Sequence, residues 1–252
     1  MSLHRAGRRL IVLLAAAGLL GLAVGSAAYA SPAASAARAR TTPREQATQE
    51  LAVLVSQHSA HKAPEAGSPL VATVSPIRPI TGEPTTLPVL ARSIGAGGVM
   101  WLQVMLPGRP DGLTGWIAQP GTRAAVTPWR ITVNLHTRRV TVYNDGARVR
   151  MFKAVVGKPS TPTPTGQFFV EEVVQMQPGE PGGPFALALS ARSNALQEFE
   201  GGPGQIAMHG RDNLGGTLGA AESHGCVRLG TEAIDWLAAR VGGGTPVTIT
   251  AG

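Results

Sequence analysis

From residue 70 to the C-terminus the chain is written in short apolar runs broken by glycine and proline. The sequence holds 32 Gly and 20 Pro, a punctuation that leaves little room for long helices and favours strands joined by tight turns. Val71–Val74, Leu87–Ala91, Val99–Leu106 and Thr114–Ala118 read as strands of a small β-domain over residues 70–122. From Trp129 a second β-pattern begins: Ile131, Val133 and Leu135 alternate with polar residues, as do Val140 and Val142. Asn144-Asp145-Gly146 is a hairpin turn, with Val149–Val156 as the returning strand. Pro159–Pro164 is a stiff loop, and Phe168–Val174 a further strand. His136, at the turn after Leu135, is expected on the surface. Residues 175–204 are irregular and rich in Gly and Pro. A loop of that length usually builds a binding site, so it is expected to form one wall of a cleft and close over a ligand, with Leu187–Ser190 a short strand inside it. Ile206–Met208 leads as a strand into His209. One helical pattern follows, capped by Thr231 and running to about Val241, with Glu232 and Asp235 in its first turn, Ile234, Leu237 and Val241 as its buried stripe and Gly242 at its end. Pro246–Thr250 closes as a strand. The expected class is mainly β.

The front of the chain reads differently. Arg5, Arg8 and Arg9 precede an apolar run from Leu10 to Gly25, and Ala28-Tyr29-Ala30 is a small-x-small cleavage site. Residues 1–30 are therefore expected to be a signal peptide, since the run is shorter than the roughly 20 residues of a spanning helix. Left uncleaved, it would be the chain's only link to a membrane. Residues 31–69 read as a flexible linker or stalk, with one short helix over 44–60 presenting Leu51, Leu54 and Val55 on one side.

Cys226 is the only cysteine. In an exported chain it has no internal disulfide partner, so its thiol is expected to be reactive or intermolecular. It stands in Ser223-His224-Gly225-Cys226-Val227-Arg228-Leu229, with His209-Gly210 upstream. A thiol needs a nearby base or positive field to become a nucleophile, and a Gly-Cys turn can aim successive N–H groups at a developing oxyanion. One Cys, two His and an Arg thus fit a thiol acyl-transfer centre. A buried, inert cysteine among structural histidines is the plainer alternative. A zinc site from His209, His224 and Cys226 would use valid ligand types, but the His-x-Cys spacing is not that of a zinc finger, and neither a metal nor any other cofactor is expected.

The same residues carry a resemblance. His209-Gly210 followed by Ser223-His224-Gly225-Cys226-Val227-Arg228 resembles the signature of the L,D-transpeptidase catalytic domain, the YkuD-like fold. Val156-Gly157-Lys158-Pro159-Ser160-Thr161-Pro162-Thr163-Pro164-Thr165-Gly166-Gln167-Phe168 resembles that family's glycine–proline loop. The resemblance implies a β-rich catalytic domain, here residues 123–252, with a helix after the catalytic Cys. It implies Cys226 as nucleophile, His209 as proton donor and acceptor, and Gly210 as the group orienting His209. His224, Gly225 and Cys226 would supply oxyanion N–H groups, with Ser223 hydrogen-bonding near the site. Arg228 is assigned to a substrate carboxylate, which guanidinium binds bidentately; a structural salt bridge is its alternative. The implied partners are peptidoglycan stem peptides: the thiol attacks the bond between the diamino acid and D-alanine, and an amine takes the acyl group to form a 3→3 cross-link. Covalent labelling by carbapenem-type β-lactams is a further implication. An L,D-carboxypeptidase using water, a thiol protease, and a non-enzymatic wall-binding module stay open.

Trp101-Leu102-Gln103-Val104-Met105-Leu106 with Thr114-Gly115-Trp116-Ile117 resembles a bacterial SH3-like module, its tryptophans read as core. This front module holds no clustered acid–base pair and is expected to position the enzyme rather than do chemistry. The formal net charge is +7, of which the three leader arginines carry three. A mildly basic surface suits an anionic cell envelope, and no basic run is interleaved with aromatics as nucleic-acid binding would require. An exported monomer of the cell wall, secreted or periplasmic, is expected.

Overall fold

The computed structural model describes residues 47–198 and 201–252. The expected signal peptide and the first part of the expected stalk lie outside the described residues. No helix among the described residues is long and apolar enough to cross a membrane.

Residues 49–127 form an antiparallel sheet. Its strands are β1 (Gln49–Leu54), β2 (His58–His61), β3 (Leu70–Val74), β4 (Thr86–Ile94), β5 (Met100–Met105), β6 (Thr114–Ala118) and β7 (Thr122–Thr127), in the order β3-β2-β6-β5-β4-β1-β7. The short helix expected over 44–60 is therefore corrected: β1 pairs on both sides, Leu51 with Pro88 of β4 and with Ala125 of β7. Leu51, Ala52, Val53 and Leu54 are all buried. A run buried on both faces lacks alternation, and Leu51, Leu54 and Val55 then mimic a helical stripe. Residues 49–69, read as the end of a stalk, belong to this sheet and its connections. Trp101 and the adjacent Leu102 and Val104 are buried, and β5 and β6 are direct neighbours.

The second half opens with β8 (Trp129–Asn134), β9 (Arg139–Asn144) and β10 (Ala147–Lys153). The hairpin between β9 and β10 turns at Asp145 and Gly146, both with positive φ (50° and 72°), the requirement of the tight turn that Asn-Asp-Gly predicts. The chain continues through β11 (Val156–Gly157), β12 (Gly166–Gln175), β13 (Phe185–Arg192), β14 (Gln205–His209), β15 (Ala221–Ser223), β16 (Val227–Arg228), α1 (Thr231–Ala238) and β17 (Pro246–Thr250). The larger sheet runs β10-β9-β8-β17-β12-β13-β14-β16, and β11 pairs with β15. The β17–β8 and β14–β16 pairs are parallel.

Two expectations change here. The short strand expected at Leu187–Ser190 within residues 175–204 is present and longer than expected. β13 runs eight residues through the middle, between β12 and β14, because its apolar and small residues from Leu187 to Ala191 are buried on both faces and show no alternation. The helix is shorter than expected. Its N-cap is Gly230, without a side-chain cap, and it ends at Ala238. Thr231 instead directs its hydroxyl to Asp212 Oδ1 at 3.1 Å, only Glu232 is acidic in the first turn, and Val241 is buried beyond the helix.

The two halves share strand β12. Phe168 and Val170 enter the core of the larger sheet, whereas Phe169 packs with Leu87, Val89 and Leu102 of the front sheet. A register shift between Val170 and Glu172 inserts an extra residue and lets two successive carboxylates turn inward. Glu171 pairs with both Arg78 and Arg192, and Glu172 accepts from the N–H and hydroxyl of Thr81, each at 3.0 Å.

Candidate active site

Parallel pairing of β14 with β16 builds the site. Met208 lies opposite Val227 and His209 opposite Arg228. Side chains alternate between the faces of a strand: Ile206, Met208 and Val227 point into the core, so Ala207 and His209, with Cys226 and Arg228, share the other face. All four line one cleft of ≈ 270 Å³. Cys226 is partly exposed there, and its Sγ accepts from the Ala207 N–H at 3.5 Å.

His209 Nδ1 is 2.8 Å from Gly210 O. A carbonyl can only accept, so Nδ1 carries the hydrogen and the lone pair of the neutral ring sits on Nε2. Burial pushes the imidazole below its ordinary value; the Gly210 carbonyl opposes this, and the Arg228 guanidinium adds to it. His209 is thus held as a neutral base near pH 7.

Gly210 is required by packing. A Cβ there would overlap Gly183 O, and one on Gly182 would sit 2.8 Å from His209 Nδ1. Gly182 also has φ of +91°, a region that L side chains avoid. The Gly182-Gly183 segment therefore closes against the histidine that the strand presents. Gly210→Ala should shift His209 and lower kcat/KM by about 10²-fold, the cost of misplacing a catalytic group by about an ångström. Steady-state kinetics beside a melting curve checks this, and a variant with wild-type kcat/KM would show that the packing does not set the histidine.

The Ser223–Cys226 turn is held from inside. Ser223 is fully buried; its hydroxyl donates to Cys226 O at 2.6 Å and accepts from Gly225 N–H at 3.1 Å. Ser223 is thus the brace of the turn. The Gly225 N–H, expected among the oxyanion donors, is engaged by that brace. Gly225 has φ of +124°, and a Cβ there would press Ile206 Cδ1 at 3.0 Å, so glycine must precede the cysteine.

The proline loop supplies a second support, for which the sequence assigned no site residue. Thr163 Oγ1 accepts from Gly157 N–H at 2.9 Å and donates to Gly225 O at 2.7 Å. Thr161 Oγ1 and Lys158 N–H both donate to Ser223 O, and Lys158 Nζ lies 3.4 Å from His224 Nε2. The repeated Thr-Pro pairs were the available signal: stiff backbone interleaved with hydroxyls suits a buttress.

Arg228 donates from Nη1 to Gly215 O at 2.9 Å, while its buried Nε has no hydrogen-bond partner. No acid pairs with it among the described residues. Met176 and Pro181 line the cleft on one side of β13, and Ser193, Leu196 and Gly204 on the other. Both flanks of the expected loop thus reach the site. No group of three His, Cys, Asp or Glu side chains that could hold a metal ion occurs among the described residues.

The chain is similar to several known proteins. The YkuD family model, described as the L,D-transpeptidase catalytic domain, matches residues 128–249. The Bacillus licheniformis protein named L,D-transpeptidase YkuD is 36% identical over 135 residues, 52% of this chain and 72% of that protein. Its Bacillus subtilis namesake is 29% identical over 157 residues, 62% of this chain and 80% of that protein. Among solved structures, an Enterococcus faecium L,D-transpeptidase is 22% identical with a TM-score of 0.38 over 48% of this chain. The match spans about half of that protein's length (49%). On the breadth of the Bacillus matches, the chain belongs to the YkuD family of L,D-transpeptidases and is an enzyme of that class.

Proposed function

We propose that this enzyme is exported to the cell envelope and cross-links peptidoglycan, opening the bond between the diamino acid and the terminal D-alanine of a tetrapeptide stem. The observation that carries the reading is the strand pairing that sets Cys226 and His209 on one face of one cleft. His209 Nε2 takes the thiol proton as Cys226 Sγ attacks the carbonyl carbon of the diamino acid. Main-chain N–H groups of the turn around His224 and Cys226 stabilise the oxyanion. The C–N bond breaks, the proton passes to the departing amine of D-alanine, and a thioester remains on Cys226. The side-chain amine of a second stem then attacks the thioester, sulfur leaves, and a 3→3 amide forms. Arg228, a cation on the cleft wall with no acid paired to it among the described residues, binds a carboxylate of the stem. Export rests on the basic, apolar and small-x-small pattern of residues 1–30.

Mass spectrometry of products from a defined disaccharide-tetrapeptide tests the reading. Expected are free D-alanine and a cross-linked dimer. Tripeptide alone would make the enzyme a carboxypeptidase, and no loss of D-alanine would overturn the proposal.

A further inference from the structure

The front sheet reaches the wall of the active-site cleft through Arg109 and Asp111. Between β5 and β6 the loop from Pro107 to Gly112 extends to the far flank of β13. There Arg109 Nη2 donates to Ser193 O at 2.9 Å and to Pro203 O at 3.3 Å. These carbonyls lie on the outgoing and returning stems that leave β13 and enter β14. The stems are joined to each other by the Ser193 N–H to Gly204 O bond at 2.8 Å, and Leu196 N–H is held by Ser193 Oγ at 3.0 Å. Two residues on, Asp111 Oδ1 accepts from the Arg192 N–H at 2.8 Å. Burial raises the Asp111 carboxyl above its ordinary range, against the opposing pull of the Arg192 N–H and of the Arg109 and Arg192 guanidiniums.

Ser193, Leu196 and Gly204 line the cleft that holds Cys226. Their place relative to the thiol is set on one side by β14. On the other it is set by a guanidinium from a different sheet that grips both stems at once. A planar fork with several donors suits that task, and a charged donor makes a stronger bond to a carbonyl than a neutral one. Gly204 fits the same arrangement: a Cβ there would overlap Leu196 O and come within 3.3 Å of Arg109 Nη2.

We propose that Arg109 is a positioning residue for the donor peptide: the front sheet, through Arg109 and Asp111, fixes the cleft wall formed by Ser193, Leu196 and Gly204 and thereby sets the affinity for the stem. The chemistry at Cys226 is untouched by this contact, so the front sheet acts on binding and not on the reacting atoms. The inference takes its substrate from the proposed function, but its structural half stands without it.

The test uses the full chain with Arg109→Ala and Arg109→Lys, measuring kinetics with the disaccharide-tetrapeptide, hydrogen exchange of residues 193–198, and iodoacetamide alkylation of Cys226. In Arg109→Ala, KM for the donor should rise about tenfold, the order of one such hydrogen bond, with kcat changed less than about twofold. Amides of 193–198 should exchange faster, and alkylation should keep its wild-type rate. Arg109→Lys, which keeps a charged donor, should recover at least part of the KM. Unchanged KM, or a fall in kcat with slower alkylation and no change in KM, overturns the proposal. If wild type does not process the donor, the proposed function fails by itself. Exchange then decides the inference: faster exchange in Arg109→Ala supports the staple, and unchanged exchange removes it.

Discussion

Cys226→Ala should leave a folded protein with no measurable turnover and no covalent label from a carbapenem-type β-lactam. Cys226→Ser should be nearly as inactive, because a hydroxyl is a far weaker nucleophile in a site arranged around a thiol. His209→Ala should retain the fold and lose about 10²–10⁴-fold in kcat/KM, the usual share of a positioned general base. The pH dependence follows from the direction of the His209 shift. The folded imidazole has a lowered pKa, so in the window between that value and the ordinary 6.5 the unfolded chain binds a proton that the native chain does not. The stabilisation is full above 6.5 and declines as pH falls through the window, because protonation favours the unfolded state. Denaturant unfolding at pH 7.5 and 5, for wild type and His209→Gln, should show a smaller acid loss in the variant. Equal acid losses would mean that His209 is not held neutral by its burial.

The second large effect lies between the sheets. Glu171 is 2% exposed and receives one cation from each half of the molecule, Arg78 from the front and Arg192 from β13. Arg78→Met removes one of these and leaves Glu172 with Thr81 as its remaining polar support. Breaking a buried pair by removing one partner costs about 3–5 kcal/mol. The second cation on Glu171 should hold the loss near the lower figure, a fall in Tm of roughly 6–12 °C for a unit of this size. Differential scanning calorimetry measures it. A shift below about 2 °C would show that Arg192 and Thr81 suffice. Arg78→Met with Glu172→Gln should cost less than Arg78→Met alone, since the carboxylate that loses its cation is then neutral while Glu171 keeps Arg192.

The same interface bears on how the chain divides. Phe169 packs in the front core and Glu172 takes its partners from the front half, while Glu171 is shared between Arg78 of the front and Arg192 of β13. That dependence was not legible in the sequence, where Phe168 to Val174 reads as one more strand. It arises from the bulge at Glu171, which no local pattern announces. β3 to β6 and β8 were legible because Gly and Pro bracket short runs, whereas β7 was not read as a strand. β1 was not, and of β13 only the middle, Leu187–Ser190, was, since strands buried on both faces lack the period of two that identifies a strand. The turn at Asp145-Gly146 was visible because its chemistry is local. The site was legible as a set of residues, with Cys226, His209, Gly210 and Arg228 converging through the β14–β16 pairing. Its supports were less so. Ser223 reads as a polar neighbour of the thiol and is instead a buried brace, and Thr163, Gly182 and Arg109 matter through contacts tens of residues away in the chain.

The central claim is that His209 serves Cys226 as its base. The most direct measurement is the rate of iodoacetamide alkylation of Cys226 against pH, in wild type and His209→Ala. A positioned neutral imidazole should make the wild-type thiol react at lower pH than a free cysteine, which titrates near ~8.5. Loss of the ring should move the profile of the variant towards that ordinary value. Superimposable profiles for the two proteins would contradict the pairing and make His224 the base to test next.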